Sequence, residues 1–168
     1  RLAGYYEQLR DELGLDERGA RRDEAWQLYT LEATYHRLCG AARRHLAEAL
    51  NGFVAAWETS AGFARRWAAT LRQAGADSGS DPVQEWGERL VKGLEAYQNN
   101  DHRQALVFLT ALLEEGHLQD GQGASILGRR GVTYLLMGQH EHALADLNRA
   151  VELDPTDWRL YNRALLYQ

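Results

Sequence analysis

One stretch of 34 residues, 124–157 (ASILGRRGVTYLLMGQHEHALADLNRAVELDPTD), constrains what this chain can fold into more than any other. Gly131 lies three residues before Tyr134, and Gly138 follows where a first helix should stop. Ala143, Leu147 and Ala150 then recur at intervals of four and three, the spacing that lines up side chains on one face of a helix. Gly138 can take the left-handed conformation that ends a helix. Pro155 cannot continue a second helix, because it lacks an N–H and clashes with the preceding turn, and it biases Asp154 out of the helical region. Two short helices of this kind cannot bury their apolar surface alone, so at least one neighbour is required.

This pattern resembles the tetratricopeptide repeat (TPR), a pair of antiparallel helices that stacks on its own copies. The family has a small residue at position 8, an aromatic at 11, glycine near 15, alanine at 20, a large apolar residue at 24, alanine at 27 and proline at 32. Gly131, Tyr134, Gly138, Ala143, Leu147, Ala150 and Pro155 fill all seven. The resemblance implies that Gly131 and Ala143 face each other where the helices cross, with Tyr134 and Leu147 filling the gaps above and below. It also implies neighbouring copies. Downstream, residues 158–168 (WRLYNRALLYQ) read as the first helix of a third repeat, since 163–167 match 130–134 at an offset of 33. Upstream, residues 85–115 form a looser copy in which Gly93, Ala105, Leu109 and Leu112 stand for Gly131, Ala143, Leu147 and Ala150. There Asn99-Asn100-Asp101 replaces the turn glycine, and no proline closes the unit.

Ahead of the repeats, residues 1–13 read as a short amphipathic helix carrying Leu2, Tyr5, Tyr6, Leu9 and Leu13 on one side. From about 23 to 73 the chain is helical in character and free of proline, with an apolar stripe at Leu28, Leu31, Tyr35, Leu38 and Ala42. The stripe resumes at Leu46, Ala49, Phe53, Trp57, Ala61, Ala64, Trp67 and Leu71. Gly40, Gly52 and Gly62 each cost about 1 kcal/mol in a helix interior and are candidate breaks, so one long helix and an αα-hairpin both fit. The stripe suits a bundle or cap at the open end of the repeats, and a packed dimer surface as well. Small polar residues at 75–82 (GADSGSDP) mark the best boundary, with Asp81 placed to cap the next helix and Pro82 at its first position. The expected architecture is all-α: an N-terminal helical segment, residues 1–80, packed on a short TPR-type α-solenoid, residues 81–168, of about two and a half repeats.

Charge argues against a nucleic-acid partner. Residues 1–80 balance eleven basic against eleven acidic side chains, and residues 81–168 hold eight against thirteen, so the second half carries the whole net charge of −5. Phosphate binding needs a basic face, and pairs such as Arg129-Arg130 are diluted by carboxylates or apolar sequence. The single cysteine, Cys39, rules out an internal disulfide and makes a reducing, cytoplasmic setting the default. No run approaches a membrane span, so no membrane association is expected. Arg1 is not an initiator methionine, and Gln168 falls within a helical pattern; both suggest a piece of a longer protein.

Chemistry is hard to nominate. Residues 123–130 (GASILGRR) have P-loop glycine spacing but lack the Lys-Ser/Thr that would reach phosphate and magnesium. His36 and Cys39 sit one turn apart, yet two ligands fall short of a tetrahedral metal site. His140 and His142 are expected at the surface. Neither a catalytic set nor a cofactor is expected. The TPR resemblance instead implies a groove lined by the first helices of successive repeats. Position by position it nominates Leu90, Leu94 and Tyr97; then Ser125, Arg129, Val132 and Leu135; then Trp158, Tyr161, Asn162 and Leu165. Tyr97, Arg129, Val132, Leu135, Trp158, Tyr161 and Asn162 make up the expected peptide-binding site, since Tyr, Trp and Arg dominate interface energetics. The residues of the family's carboxylate clamp are not in place. The leading expectation is a non-catalytic module binding a protein or peptide. The alternatives are a regulatory or sensor part of a larger signalling enzyme, and a self-associating scaffold or homo-oligomer.

Overall fold

The computed structural model describes residues 1–155; Trp158, Tyr161, Asn162 and Leu165, with the third repeat expected there, lie outside the described residues. Every regular element among the described residues is a helix: α1 (Leu2–Glu12), α2 (Glu17–Ala20), α3 (Glu24–Thr59), α4 (Ala61–Ser78), α5 (Asp81–Gln98), α6 (His102–Glu115), α7 (Asp120–Leu136) and α8 (His140–Leu153). The chain forms two compact units, Arg1–Val91 and Lys92–Gln168.

In the first unit, the stretch expected as one helix or two is a hairpin. The carboxylate of Asp23 accepts from the Trp26 N–H at 2.8 Å and starts α3. Ser60, extended at φ −166°, ψ 153°, ends it. Its hydroxyl then accepts from the Phe63 N–H at 3.0 Å and starts α4, as a serine cap does. A second break lies inside α3 at Ala41 (φ −156°, ψ 67°), beside Gly40. Gly52 breaks nothing. It sits against the indole of Trp67, where a Cβ would come within 2.2 Å of Cζ2. The stripe is buried through its middle, at Leu38, Phe53, Trp57, Trp67 and Leu71, whereas Leu28 is 50% exposed and Ala61 is exposed.

Arg37 fastens the bend in α3. It pairs with Glu48, eleven residues along the same helix. A straight helix would separate the two by about 16 Å of rise, so the break at Ala41 is what lets them meet. Arg37 also lies 2.6 Å from Glu7 and ties α1 to the hairpin.

The small polar residues at 75–82 form a tight corner. Helix α4 runs through to Ser78, and Gly79 at φ 63° caps it. The Ser80 carbonyl accepts from the Gln84 N–H at 3.0 Å, so Ser80 takes the cap position and Asp81 lies already in the first turn of α5, which corrects the expected assignment. The backbones then approach closely: a Cβ on Gly75 would lie 2.3 Å from the Gln84 nitrogen, and one on Gly87 2.3 Å from the Arg72 nitrogen.

The Tyr35 hydroxyl donates to Asp77 at 2.6 Å across α3 and α4. This bond raises the pKa of Tyr35 above its ordinary value of 10.0 and lowers that of Asp77 below 3.8, with help from Gln73. The Tyr35 contribution is therefore complete below pH 10 and lost as pH rises through the folded pKa. The Asp77 contribution is complete above pH 3.8 and lost as pH falls. Tyr35→Phe should lower the neutral plateau of the stability–pH profile, measured by urea denaturation, and flatten both limbs. Wild-type limbs in the variant would show that the bond does not couple to folding.

The second unit repeats one turn chemistry twice. Between α7 and α8, Gly138 adopts φ 72°, and the Gln139 N–H reaches back to the Tyr134 carbonyl at 2.9 Å. Between α5 and α6, Asn100 adopts φ 57°, and the Asp101 N–H reaches the Ala96 carbonyl at 2.9 Å. Asparagine tolerates the left-handed region better than other side-chain-bearing residues, so Asn100 does the work of the missing glycine. The Asp101 carboxylate caps α6 through the Gln104 N–H at 3.2 Å.

The crossings match as well. A Cβ on Gly131 would meet Leu147 at 2.8 Å and the Ala143 carbonyl at 3.3 Å, and one on Gly93 would meet the Phe108 ring at 2.1 Å. Ala105, Leu109, Ala143, Leu147 and Ala150 are buried between the helices. Tyr134 stands at the edge of its crossing, half-buried and against the His142 ring at 5.1 Å.

Candidate functional site

Helix α7 presents two faces with different work to do. Arg129 and Val132 are three apart, and Leu136 continues their line one turn on. The Arg129 guanidinium lies over the Tyr97 ring, 5.7 Å from its centre, within cation–π range. The contact joins α5 to α7. Tyr97, Arg129, Val132 and Leu135 are all half-buried. Leu135 lies about 120° around the helix from Arg129 and about 100° from Leu136. Leu136 is 64% exposed and was not nominated from the sequence, although its i+4 spacing from Val132 was visible there. Leu90, Leu94 and Ser125, which the sequence placed on the groove, are buried; they belong to the core.

Arg130 faces the other way. Its Nε donates to Asp146 Oδ2 at 2.7 Å and its Nη2 to Oδ1 at 2.9 Å, a bidentate fork between α7 and α8. Its Nη1 donates to the Thr110 hydroxyl at 3.2 Å and so reaches α6. The bonds from Asp146 hold the Arg130 pKa above its ordinary value. The pair was legible in principle. Asp146 falls on the buried stripe of Ala143, Leu147 and Ala150, and a buried carboxylate must have a partner.

The tetratricopeptide repeat family model matches residues 124–157, the residues whose two helices cross at Gly131 and Leu147. Residues 124–157 are a tetratricopeptide repeat. No curated protein matches the chain, and no solved structure matches it. Helix α7 is thus the first helix of the TPR and α8 the second. The TPR supports a protein-interaction role and protein partners in general terms, and the family is typically non-catalytic.

Other sequence candidates have local partners. The residues with P-loop glycine spacing, 123–130, lie inside α7 and form no loop. The His36 ring stacks on Tyr6 at 5.7 Å, and Cys39 Sγ faces the Ala74 carbonyl at 4.0 Å, so the two are turned to different neighbours. No group of three or more His, Cys, Asp or Glu is placed to hold a metal ion among the described residues. No helix among them is long and apolar enough to cross a membrane.

Proposed function

We propose that the second unit binds an extended peptide, or a loop of a partner protein, along the Arg129–Val132–Leu136 face of α7. The observation that carries this reading is the contact between Arg129 and Tyr97. It links the first helix of the TPR to α5, the first helix of the looser copy upstream, which is how a stacked pair of repeats builds a common face. The face offers an aromatic ring, a guanidinium and an apolar side chain that is 64% exposed at Leu136. Tyrosine and arginine are among the side chains that carry most of the binding energy at interfaces. On this reading the N-terminal unit does not bind the peptide.

The test is a selection of peptides from a random library displayed on phage, using the full chain as bait. Selected peptides should bind Arg129→Ala and Leu136→Ser at least about tenfold more weakly than wild type, a loss of roughly 1.4 kcal/mol. Helical circular dichroism and melting temperature should stay unchanged in both variants. Peptides that bind wild type and both variants equally would place the site elsewhere.

A further inference from the structure

The first unit holds a cavity with no part in the repeat. It has a volume of about 500 Å³ and is lined by residues of α1, α2, α3 and α4. That size falls within the range of small-molecule sites, about 300–1,000 Å³. Trp26, Ala55, Ala56, Phe63 and Trp67 form its apolar wall. One of the wall's two tryptophans is fixed, because Trp67 Nε1–H donates to the buried Ala49 carbonyl at 2.9 Å. The two threonines on the lining, Thr30 and Thr59, donate to the carbonyls of Trp26 and Ala55 at 2.7 and 3.0 Å.

Charge enters only from the α1 and α2 side, through Arg10, Asp11 and Arg21. Arg10 donates to Asp11 at 3.0 and 3.1 Å, so that pair is neutral and Arg21 leaves the lining with a net positive charge. The Arg21 backbone is held in place, its carbonyl accepting from Gln27 Nε2 at 2.7 Å. Another cation stands nearby: Arg66 bonds to the Gln27 side chain and lies 5.6 Å over the Phe63 ring.

From this arrangement we infer that the cavity binds a small amphipathic carboxylate, its hydrocarbon body among Trp26, Phe63 and Trp67 and its head at Arg21. The wall supplies burial without hydrogen bonds, and arginine is the side chain whose fork fits a carboxylate. The inference rests on the first unit alone and is independent of the peptide-binding reading.

Decanoate is the probe, titrated into the full chain and followed by calorimetry and tryptophan fluorescence. The expected result is saturable one-to-one binding, with decanol, the same body without the charge, weaker by about tenfold. Arg21→Gln should weaken decanoate by about the same factor and leave decanol unchanged. Ala55→Leu should fill the cavity and abolish binding of both with the helical signal intact; Thr59→Leu, one turn on, is the second filling variant. Three outcomes would overturn the inference: no saturable decanoate binding, equal affinity for decanol and decanoate, or decanoate binding that survives both filling variants.

Discussion

Asp146→Ala should cost the second unit about 3 kcal/mol, the low end of what breaking a buried ion pair costs. The side chains of Arg130 and Asp146 are only 18% and 10% exposed, so the variant leaves a guanidinium with little water to replace its two lost bonds. The remaining bond to Thr110 keeps the loss from being larger. Slowed amide exchange in α7 and α8 should be the first property to go, and urea denaturation should show the midpoint falling. The decisive control is Arg130→Met with Asp146→Leu. Replacing both partners by apolar residues of similar size removes the desolvation problem and should recover most of the stability. If Asp146→Ala is neutral, the hairpin is held by Leu147, Ala143 and Ala150 alone, and the fork contributes only alignment.

A comparison of Gly75→Ala with Gly79→Ala should separate two reasons for glycine four residues apart. Gly79 sits at φ 63° with nothing within 4 Å of a Cβ. Its replacement strains only the backbone and should cost about 1 kcal/mol. Gly75 is helical, and alanine there would gain about 1 kcal/mol of helix propensity. Against that gain, its Cβ would stand 2.3 Å from the nitrogen and 2.5 Å from the Cα of Gln84. No side chain can swing aside, so α5 itself must shift. Overpacking of this kind costs about 3 kcal/mol, and the net loss should be about 2 kcal/mol, twice that at Gly79. Thermal denaturation of the two variants checks the order. A stabilised Gly75→Ala would mean that the α4–α5 contact relaxes freely.

How far the sequence could be read differs between the two units, and particular residues show why. Within 124–157 the spacing of Gly131, Tyr134, Gly138, Ala143, Leu147, Ala150 and Pro155 determines the elements, their ends and their crossing, because each position meets one local requirement. Gly138 must turn left-handed, Pro155 must stop a helix, and Gly131 must let Leu147 approach. The same logic was weaker upstream, where Asn100 replaced glycine and Phe108 filled the place beside Gly93. The first unit was legible only as helical and amphipathic. Gly40, Gly52 and Gly62 looked alike as candidate breaks; Ser60 made the turn, Ala41 the bend, and Gly52 a seat for the Trp67 ring.

By itself, then, the sequence determined the all-α class and the TPR at 124–157, since these follow from periodicity and residue chemistry along one helix. Tertiary structure decided which of two adjacent arginines faces Tyr97 and which is buried with Asp146. It also decided that Leu90, Leu94 and Ser125 serve the core, and that Trp26, Phe63 and Trp67 surround a cavity. Adjacent residues on a helix point about 100° apart. What each side chain meets therefore depends on a neighbouring helix that is close in space and distant in sequence.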